Sequence, residues 1–252
     1  MVRYALTPPG WPAGLRLRIA VLADLHVGEP YMGLGRIGRI VEAANDLRPD
    51  LAVVLGDYHA SHRFVTRDVA PDEAAGALAR LRAPLGRFAI LGNHDYWDGV
   101  QPWRDAFRRA GVPLLENRAM RVGEGEEAVW VAGLASMLAI RIRRGQFHGL
   151  HNLPGTLRQV TGDAPVILLA HEPDIFPTVP PRVSLTLCGH THGGQVRLGG
   201  WSPVVPSKFG SRYAYGHIVE DGRHLVVTGG LGVSLLPVRF GVPPEVVLVE
   251  LG

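Results

Sequence analysis

Five short apolar runs in this sequence end in aspartate, histidine or asparagine. Residues 19–23 run into Asp24-Leu25-His26, residues 51–55 into Gly56-Asp57, and residues 88–91 into Gly92-Asn93-His94-Asp95. Further on, residues 166–170 are followed by His171, and residues 185–188 by Gly189-His190-Thr191-His192. Taken singly, each has an ordinary explanation. An Asp after a strand forms a turn or caps a helix. A single His such as His171 is usually a satisfied core or surface residue, and Gly-Asn-His-Asp suits a turn because Gly and Asn accept positive φ. Gly-His-Thr-His-Gly-Gly is harder to dismiss, because two histidines at i and i+2 between glycines are costly to bury unless something ligates them. All five together, in order and each at a strand end, point to a metal-binding constellation.

The elements that must position these residues are legible around them. Val-, Ile- and Leu-rich runs at 17–23, 51–55, 88–91, 129–132, 166–170, 184–187, 225–227 and 246–251 read as buried strands. Ile37, Ile40, Val41, Ala44 and Leu47 fall on one helical face that ends before Pro49. The spacing predicts a second helix over 72–83, Ala-rich with Leu78 and Leu81 inward. A third spans 102–110, with Pro102 near its first turn and Gly111 just past its end. The first half therefore reads β-α-β-α-β, which implies a parallel sheet. The second half has more strands and fewer helices, which implies a second, partly antiparallel sheet packed on the first. In open α/β sheets the carboxyl ends of the strands carry the ligand site. No linker-like break and no internal repeat interrupts the chain. The expectation is a single domain over 1–252, with residues 1–15 as an extended N-terminal segment.

Composition narrows the class. The chain has 252 residues, is 46% hydrophobic and only 19% charged, which describes a globular chain with a full core. Its net charge of +3 suits an anionic substrate or an acidic membrane surface. No dense Lys/Arg stripe interleaved with aromatics occurs, so specific nucleic-acid binding is not expected. The single cysteine, Cys188, excludes an intrachain disulfide and reads as a core thiol. No apolar run approaches the length of a membrane span. The N-terminus, with Pro8, Pro9 and Pro12, lacks the basic-then-apolar layout of an export signal. A cytoplasmic protein, either free or peripheral to the inner membrane, is the expectation, although an anchor upstream would leave this sequence the same. No feature specifies an oligomer.

The series Asp24-x-His26, Gly56-Asp57, Gly92-Asn93-His94-Asp95, His171 and Gly189-His190-Thr191-His192 resembles the calcineurin-like metallophosphoesterase superfamily, over nearly the whole chain. Within it, the Gly-Gly-Gln after His192, Gly229-Gly230-Leu231-Gly232 and Pro237-Val238-Arg239-Phe240 resemble the bacterial YkuE-like branch. Some members of that branch carry an N-terminal anchor. Relatives include enzymes that cleave UDP-2,3-diacylglucosamine. The resemblance implies two mixed β-sheets packed face to face with helices outside, a four-layer αββα sandwich. It also implies two divalent cations, one on Asp24, His26, Asp57 and His192, the other on Asp57, Asn93, His171 and His190, with Asp57 bridging. His94 would stand beside the metals as general acid. One departure matters: Ala60 occupies the position usually credited with orienting that histidine, which leaves Asp95 or His59 as substitutes. The phosphate-binding arginine of the protein-phosphatase branch is also missing.

Such a ligand set fits phosphoester chemistry. A pair of cations clamps the phosphoryl oxygens and activates a shared water, and only a bridging carboxylate can hold two dications so close. Two dications against the carboxylates of Asp24 and Asp57 leave a positive site for an anionic ester. Mixed imidazole, carboxylate and amide donors favour Mn²⁺, with Fe or Zn as alternatives, over Mg²⁺. The expected reaction is hydrolysis of a phosphodiester or pyrophosphate in a small-molecule or lipid-linked substrate. A nucleotide or cyclic-nucleotide substrate is the alternative, and a non-catalytic scaffold is disfavoured by the complete ligand set. Residues 134–147 mix Leu134, Met137, Leu138, Ile140, Ile142 and Phe147 with Arg141, Arg143 and Arg144. They read either as a core-facing segment with a basic edge or as a flap that meets an anionic lipid. Trp201, Phe209, Tyr213 and Tyr215, in a Gly/Pro/Ser-rich stretch over 193–216, either line a pocket mouth or pack structurally. His59, His62, His148, His151, His217 and His224 read as surface residues, with His59 and His62 the best placed for a role.

Overall fold

The computed structural model describes residues 1–60, 62 and 64–252. In chain order its elements are β1 (Val2–Leu6), β2 (Leu17–Leu22), β3 (Gly28–Glu29), α1 (Leu34–Asp46), β4 (Leu51–Val54), β5 (Arg67–Asp68), α2 (Pro71–Leu78), β6 (Arg87–Ala89), α3 (Asn93–Trp97) and α4 (Val100–Arg109). The second half carries β7 (Arg118–Val122), β8 (Val129–Gly133), β9 (Ile140–Arg143), β10 (Gln146–His148), α5 (Leu153–Leu157), β11 (Val166–Leu169), β12 (Leu185–Cys188), β13 (Gly216–Glu220), β14 (Arg223–Val227) and β15 (Val247–Leu251).

Eleven of these strands make two mixed sheets, and β3–β5 and β9–β10 pair separately. The first has the order β1-β15-β2-β4-β6 and the second β13-β14-β12-β11-β8-β7. In the first, β2, β4 and β6 are mutually parallel and β15 runs antiparallel to β2. In the second, β14, β12, β11 and β8 are parallel, with antiparallel β13 and β7 on its two edges. Alternate residues of each central strand face opposite ways, so both faces need apolar side chains. Ile19, Val21, Leu51 and Val53 of the first sheet share one core with Val131, Ile167, Leu169, Leu185 and Leu187 of the second. Between them point Ala20, Leu22, Ala52 and Val54, which pack against Ile37, Val41 and Ala44 of α1, Leu78 of α2 and Phe107 of α4. The outer face of the second sheet, through Trp130, Leu168 and Cys188, packs against Leu153 of α5 and the 3-10 turn at Ile175-Phe176. The expected αββα sandwich is therefore present, with a thinner outer layer on the second sheet.

Three details differ from the sequence reading. Within the segment expected to be merely extended, Val2–Leu6 pairs in parallel with β15 as an edge strand. The second helix stops at Leu78 rather than Ala83, because Asn45 of α1 captures the following turn: its amide donates to Arg80 O at 3.1 Å and accepts from Arg82 N at 2.7 Å. The basic-apolar segment divides: Leu134 joins the outer core with Met137 against it, while β9 and β10 form a hairpin whose side chains are exposed.

Candidate metal centre

Parallel strands β2, β4 and β6 end at the same edge of the first sheet, and β11 and β12 end at the same edge of the second. The backbone beyond them is knit together before any side chain is considered. Asp24 N donates to Gly56 O at 3.0 Å and His26 N to Asp57 O at 3.0 Å. Asp24, His26, Asp57, His190 and His192 all adopt left-handed backbone, with φ of 54°, 47°, 55°, 70° and 51°. That region costs a non-glycine residue on the order of 1 kcal/mol or more. Five such residues in one place mark a site where side-chain direction outweighs local comfort. Gly56, at φ 89°, lets two loops meet: a Cβ there would lie 2.2 Å from Gly92 N.

The side chains converge in two groups. Ligand-type atoms of Asp24, His26 and His192 lie within 4.8 Å of one another, as do those of Asp57, His171 and His190, and all six residues are buried. Asp57 faces both groups: its Oδ2 is 3.7 Å from His26 Nε2 and 3.2 Å from His171 Nε2. The histidines are aimed by their other nitrogen. His26 Nδ1 sits 2.8 Å from His59 O and His171 Nδ1 2.6 Å from Leu55 O, so each Nδ1–H donates to a carbonyl and leaves Nε2 toward the cluster. Asn93 is buried beside them, and its Oδ1 has no hydrogen-bond partner among the described residues.

The electrostatics describe a site built for cations. Burial pushes His26 and His190 down to about 3 and His192 well below its ordinary value, which keeps these imidazoles neutral. Burial, reinforced by Asp57 and opposed by His171, pushes Asp24 up to about 7. Burial acts the same way on Asp57, but His171, His94 and His26 outweigh it and hold the carboxyl well below its usual range. Burial works against a charge on His171, yet Asp57 and Asp24 hold it well above its ordinary value. A proton on His171 thus supplies the positive charge that two buried carboxylates need. Neutral imidazoles, an orphaned amide oxygen and paired carboxylates are the donor set a divalent pair takes, and metal binding would displace that proton.

His94 occupies the rim. Its backbone N–H donates to Asp57 Oδ1 at 2.9 Å, and its ring meets His26 edge-on at 5.1 Å and Trp97 at 4.9 Å. Its Nδ1 is buried without a partner among the described residues. Among the described residues no hydrogen bond joins the Asp95 carboxylate to that ring nitrogen. Both Asp95 oxygens accept backbone N–H groups instead, from Gly92 at 2.8 Å, Asp57 at 2.9 Å, Tyr58 at 2.8 Å and His59 at 3.1 Å. His59 Nε2 lies 3.9 Å from Asp98 Oδ2. Ala60 is buried and offers no polar atom.

Residues with no role in the sequence reading complete the surroundings. Arg239 donates to the carbonyls of Gly229 and Gly232 at 2.8 Å, and its Nη2 lies 3.1 Å from His192 Nδ1. Buried Glu245 accepts from Gly229 N at 2.8 Å and Tyr215 Oη at 2.6 Å. Together they clamp the glycine loop 229–232, which backs Asp24 so closely that a Cβ on Gly230 would lie 2.7 Å from Asp24 Cβ. A lone Arg among apolar and Pro residues was the available signal. Buried Glu172 accepts from Ser136 Oγ and Met137 N, and fixes the turn before β9. Tyr213 is packed in the outer core and Trp201 is exposed, so these two aromatics of the 193–216 stretch do not line one pocket mouth.

A two-sheet sandwich with buried aspartate, histidine and asparagine at its carboxyl edge defines a metal-dependent phosphoric ester hydrolase. The chain belongs to the calcineurin-like phosphoesterase family, whose model matches residues 17–194. Metallophosphoesterase YkuE of Bacillus subtilis is 28% identical over 260 residues, covering 99% of this chain and 83% of that protein. Phosphodiesterase YaeI of Escherichia coli is 28% identical, covering 96% of this chain and 89% of that protein. A transmembrane protein with a metallophosphoesterase domain from Danio rerio is 30% identical over 93% of this chain, which spans 53% of that relative. Among solved structures, a 5'-nucleotidase precursor from Thermus thermophilus shares the fold with a TM-score of 0.53 at 15% identity, over 84% of this chain and 48% of that one. Among the described residues no helix is long and apolar enough to cross a membrane.

Proposed function

We propose that this chain, acting as one domain over residues 1–252, hydrolyses a phosphodiester or pyrophosphate bond with two divalent cations. One cation is assigned to Asp24, His26, Asp57 and His192, the other to Asp57, Asn93, His171 and His190. The observation that carries the assignment is the Asp57 carboxylate, whose Oδ2 stands 3.7 Å from His26 Nε2 on one side and 3.2 Å from His171 Nε2 on the other. When bound, the cation pair neutralises the phosphoryl oxygens and makes water acidic enough to attack at neutral pH. The mixed donor set favours Mn²⁺, with Fe or Zn as alternatives.

The chain's own groups do the rest. Asp57 holds the two halves together and, through its Oδ1, fixes the backbone of His94. His94, half-buried at the rim, protonates the leaving oxygen, a transfer worth about 10²–10⁴ in rate. Burial lowers its pKa while the Asp57 charge raises it, and the anionic ester acts in the same direction as Asp57. Trp97 walls the His94 side; its indole N–H donates to Leu138 O at 2.8 Å.

The hairpin β9–β10 supports an amphipathic, lipid-linked substrate of the UDP-2,3-diacylglucosamine kind. Arg141 stacks 3.7 Å over the Trp97 ring and Phe147 stacks on the same indole at 5.4 Å, while Ile140 and Ile142 stay exposed. A guanidinium and apolar side chains next to the proposed acid suit a ligand with a phosphate and a greasy portion. The test is Mn²⁺-dependent hydrolysis of bis(p-nitrophenyl) phosphate, a cyclic nucleotide and a UDP-linked lipid side by side. Diester cleavage with preference for the lipid is the expected result. No cleavage of any of the three, or cleavage that does not depend on metal, refutes the proposal.

A further inference from the structure

Seven of the fifteen large apolar side chains exposed among the described residues fall within 198–204 and 235–240, Trp201, Leu235 and Phe240 among them. They are not loose. Arg197 N donates to Phe240 O at 2.7 Å and Phe240 N to Gln195 O at 2.8 Å, while the Gln195 side-chain amide donates to Leu236 O and Val238 O. Leu198 and Trp201 exchange backbone bonds at 2.8 and 2.9 Å. The two loops thus form one fastened tongue whose apolar side chains face outward. Single exposed apolar residues are ordinary, but a fastened cluster of this kind marks a contact surface.

The tongue is rooted at the metal centre, and the line of contacts across that centre is continuous. Arg239 touches His192, His192 stacks on His26 at 5.1 Å, His26 meets His94, and His94 meets Trp97 beneath the β9–β10 hairpin. Two apolar lips therefore flank the cluster. Both are predominantly basic: residues 128–162, 191–219 and 222–244 contain no Asp or Glu, while Arg141, Arg143, Arg144, Arg197 and Lys208 fall within them; among the carboxylates that approach are Asp98, after Trp97, and Asp174, which accepts from Ser207 Oγ and Lys208 N. An apolar tip backed by an excess of cations matches a lipid surface of negative charge, where buried apolar area and headgroup attraction act together.

We infer that the 195–206/233–241 tongue docks the chain on an anionic phospholipid bilayer, with Trp201 and Leu235 entering the interface and the metal centre held at headgroup level. The docking does not depend on the hydrolytic assignment and is tested without turnover of any lipid. The full chain is sedimented with phosphatidylcholine vesicles, with and without phosphatidylglycerol, alongside the double variant Trp201→Ser/Leu235→Ser. Hydrolysis of soluble bis(p-nitrophenyl) phosphate by both proteins reports that the variant is folded, and its absence in both would count against the proposed reaction alone. The expected result is sedimentation with phosphatidylglycerol vesicles, a blue shift of tryptophan emission on binding, and a loss of about tenfold or more in partitioning for the variant. No binding, or binding that the variant retains in full, overturns the inference. So does a concentration-dependent dimer in sedimentation velocity that the variant abolishes, because the tongue would then be covered by a second copy of the chain.

Discussion

Replacing Asp95 by Asn separates two roles that look alike in the sequence. If Asp95 oriented His94, the variant would fold and bind metal normally and lose only turnover. In the structure its two oxygens accept four backbone N–H groups, those of Gly92, Asp57, Tyr58 and His59. Asn keeps one accepting oxygen and presents an NH₂ where the other stood, so two buried N–H groups face a donor. Each unsatisfied buried donor costs about 1–3 kcal/mol, which gives roughly 2–6 kcal/mol for the pair. For a chain of this size that corresponds to a fall of roughly 5–20 °C in melting temperature. Because those N–H groups set the backbone of Asp57, metal loading falls with stability. The assay is thermal unfolding of the metal-free protein at about pH 8, where Asp95 is ionised, with elemental analysis of the metal-loaded form; burial and the Asp57 charge push Asp95 up to about 7. A melting temperature within about 2 °C of the parent's, full metal content and reduced turnover would refute this reasoning and return Asp95 to His94.

Asp57→Asn removes the shared carboxylate, and at least one metal position is expected to empty, read as metal content per chain; normal occupancy would contradict the bridging role. His94→Ala leaves metal content unchanged and lowers turnover by about 10²–10⁴. Gly56→Ala places a Cβ 2.2 Å from Gly92 N at a φ of 89°, and a loss of at least about 2 kcal/mol in denaturant unfolding is expected. Leu168→Ala and Leu169→Ala, on opposite faces of β11, should each cost about 2–5 kcal/mol, but only Leu169→Ala, in the core between the sheets, should weaken metal affinity in a titration.

What the sequence displays follows from burial. Strands covered on both faces, such as β2, β4, β11 and β12, are almost wholly apolar runs, interrupted only by Arg18 in β2 and Thr186 in β12, and the residues after them stand out by contrast. Edge strands β1, β7 and β13 carry arginine, histidine or glutamate among their apolar residues, because they are partly exposed, and they resemble loops. The strand-end positions of Asp24, His26, Asp57, His171, His190 and His192 were visible, and so was their capacity to hold metal. Their left-handed backbone was not, since it is imposed by loops that meet only in three dimensions, through Gly56 against Gly92 and Gly230 against Asp24. The same holds for Asp95: its neighbour in sequence is His94, but its partners in space lie 36 to 38 positions away as well as at Gly92.

Neither sheet can build either metal position alone. Asp24 and His26 follow β2 of the first sheet, and the histidine that completes their group, His192, follows β12 of the second. Asp57 follows β4, while its partners His171 and His190 follow β11 and β12. The distances between ligand atoms are therefore set by how the two sheets pack, and that packing is the shared core of Ile19, Val21, Leu51, Val53, Ile167, Leu169, Leu185 and Leu187. Productive metal geometry tolerates about half an ångström of error, whereas apolar side chains in a close-packed interior have little room to shift. A rigid inter-sheet core is thus the condition for the site. Conversely, cations gripping both sheets add a link between them that the unfolded chain lacks, so loading should stabilise the sandwich as a whole.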